Sequence, residues 1–240
     1  MVESNRMNMK MKLSAIGIAI MILSAGFASY FIVTNNIVAA KPIRVACVGD
    51  SITEGSGYPY KLRLLLGSDY VVGNFGVSGS TVSLNSSKPY MNESKFQEAI
   101  SFHPDIVIIM LGTNDANVEI SQNESSFETD YSQLVSAFEQ LDGKQLIWVV
   151  KSPPIFTKNS NYNNTYLENN VFPQIDQVAD QMNLPTVDVY NALGSHSDFF
   201  VDGVHPDENG ASLIALNVYD AITLPDGSPD ESYFGDGYFG

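Results

Sequence analysis

At 240 residues the chain is long enough for one domain with a full hydrophobic core, and its 44% hydrophobic and 16% charged residues make wholesale disorder a poor reading. The formal net charge of -15 argues against nucleic-acid binding, which needs a basic footprint, and disfavours docking on anionic lipid head groups. Solubility accounts for the charge.

The amino terminus comes first. Arg6, Lys10 and Lys12 precede an uncharged stretch over residues 13–33. That stretch is long enough to cross a hydrocarbon core of about 30 Å as a helix. It exceeds the usual apolar region of a signal peptide, roughly 7–15 residues. The first positive charge beyond it is Lys41, so the positive-inside rule puts the amino terminus in the cytoplasm and residues 41–240 outside. Val38-Ala39-Ala40 offers small residues for a cut after Ala40. Residues 1–40 therefore read as a cytoplasmic tail with a signal anchor, or as a signal peptide. Either way the remainder is extracytoplasmic, anchored or secreted. N-x-S/T sequons at Asn85, Asn92, Asn123 and Asn163 fit an exported surface.

From residue 42 short apolar runs alternate with amphipathic segments. The run 43–48 reads as a buried strand and holds the lone cysteine, Cys47. One cysteine allows no disulfide within the chain and no cysteine-based zinc site, and in this run it reads as a small buried hydrophobe. A helix is predicted over 60–66, a strand over 70–73 and a helix over 96–101. The strongest strand covers 105–111, followed by a helix over 127–141 and a strand over 145–150. Residues 166–182 read as helix, kinked or split by Pro173. A short strand over 186–189 and a helix over 207–221, opened by Pro206, complete residues 42–222. Strands alternating with helices predict an α/β fold, a three-layer α/β/α sandwich with a mostly parallel sheet. Residues 223–240, rich in Gly, Asp and Pro, read as an acidic disordered tail.

In such a fold ligands bind beyond the carboxyl ends of the strands. After the first strand stands Gly49-Asp50-Ser51-Ile52-Thr53, and after the second Asn74-Phe75-Gly76-Val77-Ser78-Gly79. After the third stands Gly112-Thr113-Asn114-Asp115, and near the end Asp202-Gly203-Val204-His205-Pro206. A serine hydroxyl needs a base to take its proton, and imidazole titrates near neutral pH. Ser51 and His205 suit those roles, with Asp202 close enough to orient the ring.

These four blocks resemble the GDSL/SGNH hydrolase family. The first matches as GDSIT, the second supplies Gly76, the third matches GxND through Asn114 and the last matches DxxH. The resemblance implies an SGNH-type, flavodoxin-like sandwich. It implies a triad of Ser51, His205 and Asp202. It further implies an oxyanion hole from the backbone N–H groups of Ser51 and Gly76 and the Asn114 amide. Asp50, Gly79 and Asp115 read as turn residues, His103 and His196 as loop or surface histidines. Phe199-Phe200 reads as a core anchor. No histidine–carboxylate cluster has zinc spacing, so no metal is assigned, and the chemistry needs no cofactor.

The function so implied is serine esterase chemistry on carboxylic esters, of short acyl or O-acetyl groups that include those on carbohydrates. No long apolar insertion suggests a deep acyl tunnel. An acyltransferase with the same triad, a lysophospholipase or thioesterase, and a silent membrane-tethered binding module are the alternatives.

Overall fold

Val45 and Cys47 of the first strand point into one apolar layer, Ala46 and Val48 into another, and all four are fully buried. That two-residue alternation organises the fold, because a strand buried on both faces must be apolar throughout. The structure, a computed structural model, describes residues 41–117, 126–159 and 161–224. Among these, β1 (Ile43–Gly49) is joined by β2 (Tyr70–Gly76), β3 (Ile106–Met110), β4 (Leu146–Lys151) and β5 (Thr186–Asp188). All pair in parallel, in the order β2-β1-β3-β4-β5.

Helices cover both faces. α1 (Ser51–Gly55), α2 (Tyr58–Leu66), α6 (Val189–Leu193) and α7 (Glu208–Thr223) lie on the Val45/Cys47 side. Ile52, Leu62, Leu193 and Ile214 pack there. α3 (Ser94–Ser101), α4 (Phe127–Glu139) and α5 (Phe172–Met182) cover the Ala46/Val48 side through Phe96, Leu134, Phe138 and Ile175. The result is the expected three-layer sandwich. Chain crossovers leave β1 and β3 toward opposite faces, and the crevice this opens lies at their carboxyl ends.

Three differences from the sequence reading have local causes. β2 continues to Gly76, because Asn74, Phe75 and Gly76 stay in register with Cys47, Val48 and Gly49. Val189 opens α6 rather than closing β5, because the Asp188 carboxylate caps that helix by accepting from Asn191 N at 2.9 Å. α1 adds a short helical turn ahead of the helix predicted over 60–66, because the Asp50 carboxylate caps it by accepting from Ile52 N. Pro173 falls in the first turn of α5, where its missing N–H is harmless. Ahead of it Leu167–Val171 widens into a π-turn, with Phe172 N–H donating to Leu167 O.

The expectations for residues 1–40, for the sequon at Asn123 and for the 223–240 tail beyond residue 224 lie outside the described residues, while Thr223 is the last residue of α7 rather than part of a disordered tail. Among the described residues no helix is long and apolar enough to cross a membrane.

Candidate active site

Gly49, at the end of β1, pairs with Gly76 on one side and Met110 on the other. Three loops therefore leave the sheet at one level, and they carry three of the four motifs. Asp50 then turns the chain into α1, its carboxylate accepting from Ile52 N at 2.9 Å. Ser51 is thus the first residue of a helix, half-buried, at the mouth of the crevice.

The last motif arrives from the loop before α7. Asp202 Oδ1 accepts from the N–H groups of Val204 (2.9 Å) and His205 (2.8 Å), folding the segment into a tight turn. Gly203 O accepts from Phe156 N and Thr157 N, and Val201 N donates to His205 O, which fix the turn from both sides. Phe199 and Phe200 are buried against α7 as the anchor of this loop. The outcome is a chain of two hydrogen bonds. Asp202 Oδ2 lies 2.7 Å from His205 Nδ1, and His205 Nε2 lies 2.9 Å from Ser51 Oγ. With the proton on Nδ1, the ring donates to the carboxylate and accepts from the serine hydroxyl. Burial raises the Asp202 pKa, but the hydrogen bonds from His205 and Val204 outweigh it and take the carboxyl down to about 2.

Asn114 is buried in the third loop. Its Nδ2 donates to Ser80 O at 3.0 Å and its Oδ1 accepts from the Tyr162 hydroxyl at 3.3 Å. These partners fix the amide's orientation and leave the second N–H of Nδ2 available.

Gly76 is not left open as a donor. Its N–H donates to Asn74 Oδ1 at 3.0 Å. Its lack of a side chain has another cause: a Cβ there would stand 2.2 Å from Glu54 N. Asn74 completes this clasp by donating to Thr53 O and Glu54 O. Gly79, three residues on, differs in both respects. It adopts φ +77°, its N–H meets no acceptor among the described residues, and it directly precedes Ser80, which holds the Asn114 amide.

The remaining polar residues are structural. Asp115 is buried and accepts from Val82 N and Ser83 N, both at 3.0 Å. Asp50 is also buried; its Oδ2 makes no hydrogen bond of good geometry, and the neighbouring Thr113 hydroxyl is likewise unpaired. Burial pushes Asp50 up to about 7, with the Ile52 N–H opposing and Asp115 reinforcing the rise. His196 stacks on Phe199 at 4.6 Å, and His103 sits exposed at a turn with φ 46°. Cys47 is buried in the core, and burial pushes its thiol up to about 12. Among the described residues no three His, Cys, Asp or Glu side chains gather as a metal site. A groove of about 420 Å³ lies elsewhere, on the exposed face of α4 beside Met91.

Sequence reasoning missed Tyr162 and the role of Asn74. Tyr162 lies in an Asn-rich loop with no motif, so its sequence held no signal. Asn74 was visible as the first residue of its motif, but not as the clasp.

Sheet order and the Ser51–His205–Asp202 array together define the class: an α/β/α sandwich with a hydrogen-bonded serine, histidine and carboxylate at the carboxyl ends of its strands. Residues 47–213 match the family model of the GDSL-like lipase/acylhydrolases, and the chain belongs to that family. It is 35% identical over 206 residues to an acetylxylan esterase of Xylanibacter ruminicola, covering 75% of this chain and 43% of that protein. The chain thus spans less than half the length of that relative. Among solved structures it resembles Est24, a carbohydrate acetylesterase from Sinorhizobium meliloti (TM-score 0.61, 19% identity, covering 75% of this chain and 98% of that one). It resembles the aryl esterase of M. smegmatis as closely (TM-score 0.61, 20% identity, 75% and 98%). These structural likenesses bear on the fold.

Proposed function

We propose that the protein is a serine esterase that removes short acyl groups, acetyl first, from hydroxyls of carbohydrate. The observation that carries this reading is the continuous Asp202–His205–Ser51 hydrogen-bond chain. His205 Nε2 takes the Ser51 proton as Oγ bonds to the ester carbonyl carbon. The oxyanion that forms accepts from the N–H groups of Ser51 and Gly79 and from Asn114 Nδ2. Gly79 replaces Gly76 in this reading, since the Gly76 N–H is already engaged. The tetrahedral adduct collapses, the C–O bond to the alcohol breaks, and His205 returns the proton to the leaving alkoxide. Water then attacks the acyl-serine with His205 again as base, releasing the carboxylic acid and restoring Ser51.

Two features support the acetyl-carbohydrate assignment. One is the relation to an acetylxylan esterase. The other is openness: the side chains of His205 and Asp202 are 43% and 55% exposed, which leaves room for a bulky alcohol beside the triad. The test is a panel of p-nitrophenyl esters of rising chain length beside acetylated xylan. Acetate should be turned over fastest and free acetate should appear from the polymer. A clear preference for long acyl chains, with no acetate released, would overturn the assignment.

The basic flank and apolar stretch of residues 1–40 support an extracytoplasmic placement, held by the segment 13–33 or released by its cleavage. Protease added to intact cells should digest residues 41–240 of an anchored form, whereas a released form should be found in the medium. Activity confined to the cytosol, protected from protease, would exclude both.

A further inference from the structure

The loop bearing Gly79 is fastened to the helix bearing Ser51, and the fastening uses charges that the reaction as described does not. Glu54 stands one turn after Ser51 on α1. Its Oε2 accepts both from Ser78 N at 2.8 Å and from the Ser78 hydroxyl. On the other side of the same residue, Lys88 Nζ donates to Ser78 O at 2.8 Å. Every hydrogen-bonding group of Ser78 is thereby held by an ionised side chain. The Lys88 stem also runs beside Gly79: its Cδ is the nearest atom, 4.0 Å away, to a Cβ built on that glycine. Lys88 itself is anchored close by. Its O accepts from Thr81 N at 3.1 Å and its N–H donates to Ser86 Oγ at 3.1 Å.

We propose that Glu54 and Lys88 are positioning residues that set the Ser78–Gly79 peptide so that its N–H serves the oxyanion, and that they tie this donor to the nucleophile's helix. The inference rests on the reading of Gly79 as an oxyanion donor. A trans peptide is planar, and its C=O and N–H point in opposite directions. An ammonium holding Ser78 O therefore fixes the direction of the Gly79 N–H. It also draws electron density toward the carbonyl, which makes that N–H a better donor. Glu54 supplies the second constraint. Without it, the loop could shift relative to Ser51, and a displacement of an ångström at a reacting centre is costly. Gly79 has no side chain and an unusual backbone conformation, so it has little of its own to hold this geometry.

The test compares Lys88→Met and Lys88→Arg with the parent chain, with matching thermal midpoints required of each. Hydrolysis of p-nitrophenyl acetate gives kcat and KM. Inhibition by a small alkylboronic acid, which adds to the serine as a tetrahedral oxyanion, reads the oxyanion pocket. Losing a donor outright costs a factor of about a hundred to a thousand, and misorienting one costs less, so Lys88→Met should lower kcat by about tenfold. KM should stay within about twofold, the boronate inhibition constant should rise in step with the fall in kcat, and Lys88→Arg should restore most of both. Glu54→Gln keeps one acceptor for Ser78 and should fall between the two, which provides a second reading if Lys88→Met does not fold. Unchanged kcat in both Lys88→Met and Glu54→Gln, or a rise in KM alone, would overturn the proposal. Persistent activity in Ser51→Ala would instead remove the esterase reading beneath it.

Discussion

His205 Nε2 stands 2.9 Å from Ser51 Oγ although 154 residues separate them in the chain. Two unrelated pieces of local structure make this meeting. Asp50 caps α1 and so places Ser51 at the end of β1. Asp202 folds its own segment with two backbone hydrogen bonds and uses its other oxygen for the histidine ring. The same carboxylate therefore shapes the turn and orients the His205 ring.

This arrangement ranks the triad variants. Ser51→Ala should abolish both hydrolysis and covalent labelling by a fluorophosphonate. His205→Ala should do nearly as much damage, since the two act as one unit and their losses do not add. Asp202→Ala should be milder in chemistry, because the ring still accepts a proton, but it also frees the turn. His196→Ala should be nearly silent, as that ring stacks on Phe199. Circular dichroism checks that each variant is folded. A dead His196→Ala beside an active His205→Ala would show that the wrong histidine has been chosen as base.

Asn114→Ala should lower turnover by a factor of roughly one hundred to one thousand, or ~2.7–4 kcal/mol, the loss found when one oxyanion donor is removed. Tyr162→Phe should have a smaller effect of the same kind, because its hydroxyl only holds Asn114 Oδ1. Steady-state kinetics on p-nitrophenyl acetate separates the two. A folded Asn114→Ala enzyme of near-parental turnover would remove that amide from the reaction.

Much of the architecture was legible in the sequence because the pattern was strong. β3 is apolar at each of its residues Ile106 to Met110, as a strand buried on both faces must be. The meeting of Ser51, His205 and Asp202 was legible because both short-range spacings carry their own geometry: a serine just past a strand, and a carboxylate three residues before its histidine. What failed was the end of β2. Asn74 and Gly76, on either side of Phe75, have weak strand character, and the register with β1 holds them there. Moving the strand end by three residues moved Gly76 from loop into sheet, where its N–H donates to Asn74 Oδ1. Tyr162, Glu54 and Lys88 were hidden for a different reason. Their roles exist only through contacts with Asn114 and Ser78, which no spacing along the chain reveals.

Asp50 makes the stability depend on pH in a stated direction. Its folded pKa is raised to about 7, whereas an unfolded aspartate titrates near ~3.9. Between those values the folded chain holds a proton that the unfolded chain has released. The contribution is full below about pH 4 and is lost as pH rises toward 7. The Asp50→Asn substitution keeps an acceptor for Ile52 N and removes the ionisation. That variant should therefore compare better with the parent at pH 8 than at pH 5. Thermal midpoints of both chains at the two pH values provide the measurement. Equal differences at both would show that Asp50 titrates as an ordinary carboxylate.

The two glycines of the second motif should fail in different ways. At Gly76 a Cβ would fall 2.2 Å from Glu54 N and 2.7 Å from Glu54 Cα, both backbone atoms of α1. Gly76→Ala must therefore displace the helix that carries Ser51, and it should lower the thermal midpoint sharply or prevent folding. At Gly79 the nearest atom to a Cβ is 4.0 Å away, so space is free and only the φ of +77° resists substitution. Left-handed backbone costs an ordinary residue roughly 1–2 kcal/mol. Gly79→Ala should thus fold with a modest loss of stability, while its kcat falls well beyond what that loss explains, because the chain relaxes by turning the N–H. Thermal melts and kinetics on the same preparations decide the matter. A Gly76→Ala chain with a parental midpoint and depressed kcat, beside a fully active Gly79→Ala, would return the donor role to Gly76.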